Sequence, residues 1–198
     1  MSHDEALKYF KSNSGYARMK DLKQMGIHPR VLKDFISKKM VQKIKPGIYR
    51  LIDVNASEYQ HFVDLCIAIP KGVICIYSAL NYYGLSEYKP ERIMLAVPQG
   101  CRLPKIENTD FQGFFFSPQM YFGDIEEIEL DGGIFRIYSR EKALVDAFRF
   151  KSRFGLERAQ SALIRYTKSP HRHLGRLLVL ARQCKVLQAM LPFLDEVM

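Results

Sequence analysis

Between Ser12 and Asp53 the chain alternates helix-forming and helix-breaking segments so closely that few folds can accommodate it. Gly15-Tyr16 interrupts one helical stretch, and Gly26-Ile27-His28-Pro29 separates two more. A glycine caps a helix C-terminus readily, and a proline suits the first position of the next helix. Lys45-Pro46-Gly47 then divides Met40–Leu51 into two β-prone runs, with glycine placed for the positive φ of a type II turn. The first helix carries Ala6, Leu7 and Phe10 on one side, as a small three-helix core requires. Tyr16-Ala17 reads as a short extended piece. The next helix, about Arg18 to Met25, is expected to bury Leu22 and Met25.

The third helix, from Pro29 to about Met40, is two-faced. Val31, Leu32, Phe35 and Ile36 share one face, and Arg30, Lys33, Asp34 and Ser37 share the other. Helix, helix, helix and a ribbon bearing lysines, in that order, predict a winged helix-turn-helix with duplex DNA as partner. In that motif the second helix of the turn enters the major groove and the ribbon touches the flanking backbone. Arg30, Lys33 and Ser37 are the candidates for base edges, since Arg and Lys reach guanine O6 and N7 and Ser serves either base or phosphate. Lys20, Lys38, Lys43, Lys45 and Arg50 are the candidates for phosphates.

Charge is segregated along the 198 residues. Residues 1–52 hold 12 Lys/Arg against 4 Asp/Glu, residues 53–135 hold 5 against 12, and residues 136–185 hold 13 against 3, within a net charge of +9. Basic blocks draw polyanions towards them. In the C-terminal block, Arg149, Lys151, Arg153, Arg158, Arg165, Arg172 and Arg176 either extend this electrostatic footprint or face a partner.

Asp53-Val54-Asn55-Ala56-Ser57 is polar and lies where the charge changes sign, so domains of 1–53 and 54–198 are expected. Beyond it a helix is predicted from Glu58 to Ile69, a short strand from Val73 to Ile76, and a helix from Tyr77 ending at Gly84. Ile93–Val97 and Phe111–Phe116 read as strands. Ile125–Leu130 and Ile134–Tyr138 flank the hairpin signal Asp131-Gly132-Gly133. Ser139 caps a helix to about Phe150 that buries Ala143, Leu144, Ala147 and Phe148, with Asp146 expected to pair with Arg140 or Arg149. Helices from Leu156 to Tyr166 and from His173 to Cys184, and a short terminal one, complete an α+β class: a winged helix, then a larger mixed domain with a small sheet and C-terminal helices.

Catalysis is not expected. The chain has no Gly-rich phosphate loop, HExxH, GxSxG or zinc-ligand spacing, and no cofactor or metal is implied. His171-Arg172-His173 lacks nearby carboxylates and thiols and reads as surface. Asp124, Glu126, Glu127, Glu129 and Asp131 form an acidic run that a nuclease would use for a divalent cation, but a solvated edge, or a patch that meets a basic partner, explains it better. The most apolar stretch, Phe62–Leu85, is cut by Asp64, Pro70, Lys71 and Gly72, so no membrane span is expected. The N-terminus lacks the basic-then-apolar order of a signal peptide, and Cys66, Cys75, Cys101 and Cys184 show no CxxC spacing; a reduced, cytoplasmic protein is expected.

Three stretches resemble the AbiEi family of bacterial antitoxins, the regulatory halves of type IV toxin–antitoxin pairs. They are the N-terminal segment ending Pro46-Gly47-Ile48-Tyr49-Arg50-Leu51, the run Tyr77-Ser78-Ala79-Leu80 through Gly84-Leu85 with Ile93–Pro98, and Ile137–Phe150. Together they span about residue 5 to about residue 166. The resemblance implies an N-terminal domain that binds inverted repeats upstream of its own operon. It also implies a C-terminal domain that counters a partner toxin of the nucleotidyltransferase class. Arg18 departs from the Ser or Thr cap expected before the second helix, at a cost of about 1 kcal/mol. No residue of toxin neutralisation can be carried over. A stand-alone regulator whose second domain dimerises or senses a ligand is the rival expectation.

Overall fold

Glycine and proline punctuate the chain where expected, and the N-terminal elements follow from them. The computed structural model describes residues 3–52, 56–130 and 132–195. α1 (His3–Ser12) leads to β1 (Tyr16–Arg18), α2 (Met19–Gln24), α3 (Pro29–Ser37), β2 (Val41–Lys45) and β3 (Ile48–Leu51). The three strands form an antiparallel sheet of order β1-β3-β2, with a register shift between Lys43 and Lys45. Gly47, at φ 84°, turns β2 into β3. Ala6, Phe10, Leu22, Ile27, Leu32, Phe35 and Val41 close the core between helices and sheet. Each large side chain so buried is worth about 1.5–3 kcal/mol.

Two residues expected in this core are not in it. Met25 is 44% exposed because the chain is already leaving α2 at that residue, and Ile36 is 40% exposed at the rim of the arc formed by Val31, Leu32 and Phe35. α3 also ends earlier than the expected Met40. Lys39 takes a left-handed φ of 54°, and the Met40 N–H reaches back to the Phe35 carbonyl at 2.9 Å, which closes the helix at Ser37.

The remaining elements are α4 (Gln60–Ala68), β4 (Val73–Ile74), α5 (Ile76–Tyr82), β5 (Ile93–Pro98), β6 (Phe111–Phe116), α6 (Pro118–Tyr121), β7 (Ile125–Leu130) and β8 (Gly133–Tyr138), then α7 (Arg140–Arg149), α8 (Lys151–Phe154), α9 (Leu156–Thr167), α10 (Leu174–Gln183) and α11 (Leu187–Asp195). The second sheet is mixed, of order β6-β5-β4-β8-β7, with β4 antiparallel to β5 and parallel to β8, and β5 parallel to β6. Strand β4 is shorter than expected because Ile76 adopts φ 47°, an unusual conformation for a β-branched residue, and starts α5. With eleven helices and two sheets among the described residues, the class is α+β. No described helix is long and apolar enough to cross a membrane.

The chain divides into two compact units. The first is Met1–Pro70 with Arg102–Asp110 and Glu129–Phe135; the second is Lys71–Cys101, Phe111–Ile128 and Arg136–Met198. The first unit thus reaches beyond the expected boundary at residue 53, and Asp53–Asn55 of the expected junction lie outside the described residues. Polar contacts bind α4 to the three-stranded sheet. The Tyr16 hydroxyl donates to Asp64 Oδ1 at 2.6 Å, Gln60 Nε2 donates to the Tyr16 oxygen at 2.8 Å, and Arg50 Nε lies 2.9 Å from Asp64 Oδ1.

In the second unit α7 is the central helix. Ser139 Oγ accepts the Lys142 N–H at 3.2 Å as its cap. Asp146 does not pair with Arg140 or Arg149, the partners expected from sequence, but with Lys142, whose Nζ is 2.5 Å from Oδ2. Lys142 lies one turn earlier on the buried face, where its ammonium also sits over the Tyr138 and Phe116 rings at 4.4 and 4.9 Å. Burial pushes the Asp146 carboxyl up, against the pull of Lys142, and its other oxygen has no hydrogen-bond partner among the described residues. A buried pair of this kind costs most when halved. Lys142→Met is expected to lower unfolding stability by about 3–5 kcal/mol, and Lys142→Met with Asp146→Leu to recover much of the loss. Urea denaturation midpoints of both variants check this.

Candidate nucleic-acid interface

α3 is built to show one face. His28 caps it with Nδ1 accepting the Arg30 N–H at 3.2 Å, and Pro29 fixes the first turn. Val31, Leu32 and Phe35 are buried, which leaves Arg30, Lys33 and Ser37 exposed together on the opposite side. Arg30 and Lys33 have no ion-pair partner among the described residues, so their donors are available to a ligand. Ser37 Oγ donates to the Asp34 carbonyl at 2.8 Å. Asp34 contacts Lys38 Nζ at 2.9 Å and His3 Nε2 at 2.7 Å, and the Lys38 hydrogen bond holds its carboxyl below the usual range. Lys38 is therefore partly neutralised by its own helix.

The ribbon is less available than its sequence implies. Lys43 Nζ pairs with Glu107 at 2.7 Å, which pushes the Lys43 ammonium above its ordinary range, and the Glu107 N–H donates to the Ile44 carbonyl at 2.7 Å. Lys45 Nζ donates to the Ala68 carbonyl of α4 at 2.5 Å. Arg50, expected as a phosphate contact, is instead turned inward and engaged by the fold. The residue is 8% exposed and its guanidinium lies against Asp64, because β3 is the central strand and α4 covers that residue. Burial pushes the Asp64 carboxyl up, opposed by the Tyr16 hydrogen bond and the Arg50 charge.

A basic groove compensates in part. Arg18, Lys20, Lys23, Lys45 and Gly47 are among the residues lining a cavity of about 590 Å³ in the first unit, where the Met19 N–H donates to the Gly47 carbonyl at 2.9 Å. Of these, Lys20 and Lys45 were expected as phosphate contacts; Arg18 and Lys23 were not. The Arg18-x-Lys20-x-x-Lys23 spacing is visible in the sequence, but only the joining of the ribbon turn to the start of α2 makes it a groove.

The C-terminal cations lie in the second unit. Arg176 Nε pairs with Asp124 at 2.7 Å, which raises its guanidinium further, and Arg165 pairs with Glu87. Arg172 donates to the Ser169 carbonyl at 3.3 Å. Arg149, Arg153 and Arg158 are exposed and rest on aromatic rings, and Lys151 is half-buried. In the acidic run, Asp124 faces Arg176 and Glu126 accepts the Tyr83 hydroxyl at 2.8 Å; Asp131 lies outside the described residues. No three His, Cys, Asp or Glu side chains among the described residues converge as a metal site. No family model and no curated protein matches the chain.

Arg50 is thus a structural cation of the first unit. Arg50→Met leaves the Asp64 carboxylate buried without its counter-charge and is expected to lower stability by about 3–5 kcal/mol. Thermal unfolding followed by circular dichroism checks the loss against Lys20→Met, which is expected to be neutral within about 0.5 kcal/mol.

Proposed function

We propose that the first unit is a winged helix-turn-helix and that the protein is a bacterial DNA-binding repressor of its own operon. The observation that carries this is the outward face of α3, where Arg30, Lys33 and Ser37 stand exposed on a helix whose other side is packed against the three-stranded sheet. The element order and the β1-β3-β2 sheet order support the same reading. In this reading α3 enters the major groove of an operator of inverted repeats. Arg30 and Lys33 read base edges, while the Arg18, Lys20 and Lys23 groove holds phosphates. Ser37, whose proton is given to the Asp34 carbonyl, serves as an acceptor for a base-edge amino group.

The resemblance to AbiEi antitoxins adds the second half of the proposal: the protein counters a toxin of the nucleotidyltransferase class, works in the cytoplasm, and needs no cofactor or catalysis of its own. It rests on the motifs around Tyr77–Pro98 and Ile137–Phe150.

Arg30→Ala with Lys33→Ala is expected to abolish preference for the upstream DNA while leaving weak, salt-sensitive binding. Fluorescence anisotropy on the upstream duplex and a scrambled duplex, over a salt series, measures both. Equal proportional losses on the two duplexes would overturn the assignment of Arg30 and Lys33 to base edges.

A further inference from the structure

Of the seven C-terminal cations, five contact no carboxylate among the described residues, and four of these fall in one ten-residue run, Arg149 to Arg158. There the Arg153 guanidinium lies 5.1 Å from the centroid of the Phe114 ring and 5.4 Å from that of Phe154. The Arg158 guanidinium lies 3.9 Å from the centroid of Tyr88. The rings beneath them are continuous: Phe114 meets Phe154 at 6.1 Å, Phe154 meets Tyr77 at 5.5 Å, and Tyr77 meets Tyr88 at 5.2 Å. Gly155, at φ 94°, makes the turn between α8 and α9 that sets Arg153 and Arg158 on the two ends of this ridge. Both arginines are exposed, and neither contacts a carboxylate among the described residues.

We infer that this ridge is a second, sequence-independent site for nucleic acid, held in the second unit and built to take phosphodiester oxygens. A guanidinium laid on a ring keeps its charge and its fork of N–H donors while losing rotational freedom in advance, so less is lost when a phosphate binds. The same stacking occupies the rings, which leaves little face for a base to stack on. Recognition through the backbone follows, with no reading of sequence. An acidic protein surface fits less well, because the guanidiniums cover the rings and the apolar side chain exposed between them, Leu156, is a single residue and not a patch. The exposed Phe115 sits between Phe114 and Phe116 on β6 and so points to the other side of that strand. Arg165, although on the same helix, is held by Glu87 and adds little.

The site is distinct from the α3 face, so the two are tested on one protein. The full-length chain carrying Arg30→Ala and Lys33→Ala is titrated with a labelled duplex of random sequence over a salt series. Adding Arg153→Gln and Arg158→Gln is expected to weaken the residual binding by about tenfold at low salt. It is also expected to flatten the dependence of log K on log salt by about 1.8, two phosphate contacts' worth. Arg153→Lys with Arg158→Lys, which keeps the charges, is expected to retain most of the slope, and matching circular dichroism spectra show that all variants are folded. An unchanged slope in the glutamine variant would overturn the inference, as would no residual binding in the α3 variant. So would polyglutamate displacing the duplex at equal charge, which would point to an acidic protein partner. Failure of the α3 reading appears separately, as no preference of the unsubstituted protein for its upstream DNA.

Discussion

Asp64 is fully buried on α4, and the first unit is arranged around it. Its Oδ1 accepts the Tyr16 hydroxyl from β1 and lies 2.9 Å from Arg50 on β3, while Gln60, one turn earlier on α4, donates to the same tyrosine. A carboxylate in such a place is costly unless its charge and lone pairs are met. Here an edge strand, the central strand and a helix from beyond the ribbon each supply part of the answer. That shared requirement makes α4 a part of the first unit.

The cations of the first unit sort themselves by the same rule. Where a carboxylate or carbonyl of the folded chain comes within reach, the cation is tied: Arg50 to Asp64, Lys43 to Glu107, Lys45 to Ala68, Lys38 to Asp34. Arg30 and Lys33 project from the side of α3 opposite its buried face, and nothing of the kind meets them among the described residues. Sequence-level charge counts treat all of these lysines and arginines alike. Their capacity to bind a polyanion differs because a partner already in place must be displaced first.

In the second unit the same rule is seen on α7, which is buried from Glu141 to Phe148 and hides a lysine and an aspartate together with Glu141, which accepts the Tyr166 hydroxyl at 2.7 Å. In the structure they are internal fasteners under aromatic rings. The exposed chemistry of this unit lies instead on α8 and α9, where arginines stand on top of rings.

Local physics was legible in the sequence. Pro29 at the first turn of α3, Gly47 at positive φ in the ribbon turn and Ser139 as the cap of α7 each depend on residues a few positions away. The α+β class and nearly every element came from the same short-range patterns, with errors at ends such as Ser37 and Ile74, where a single left-handed residue stops the run. The Arg30, Lys33 and Ser37 face was legible too, because helical periodicity alone determines which residues lie opposite a buried stripe. What only the tertiary structure decided is which charges remain exposed. Asp64, Glu107 and Ala68 reach the ribbon from later segments, and Lys142 takes Asp146 because both fall under the same rings. Charge pairing depends on distance in space and on the exclusion of water, and neither is written in residue spacing once the partners come from different elements.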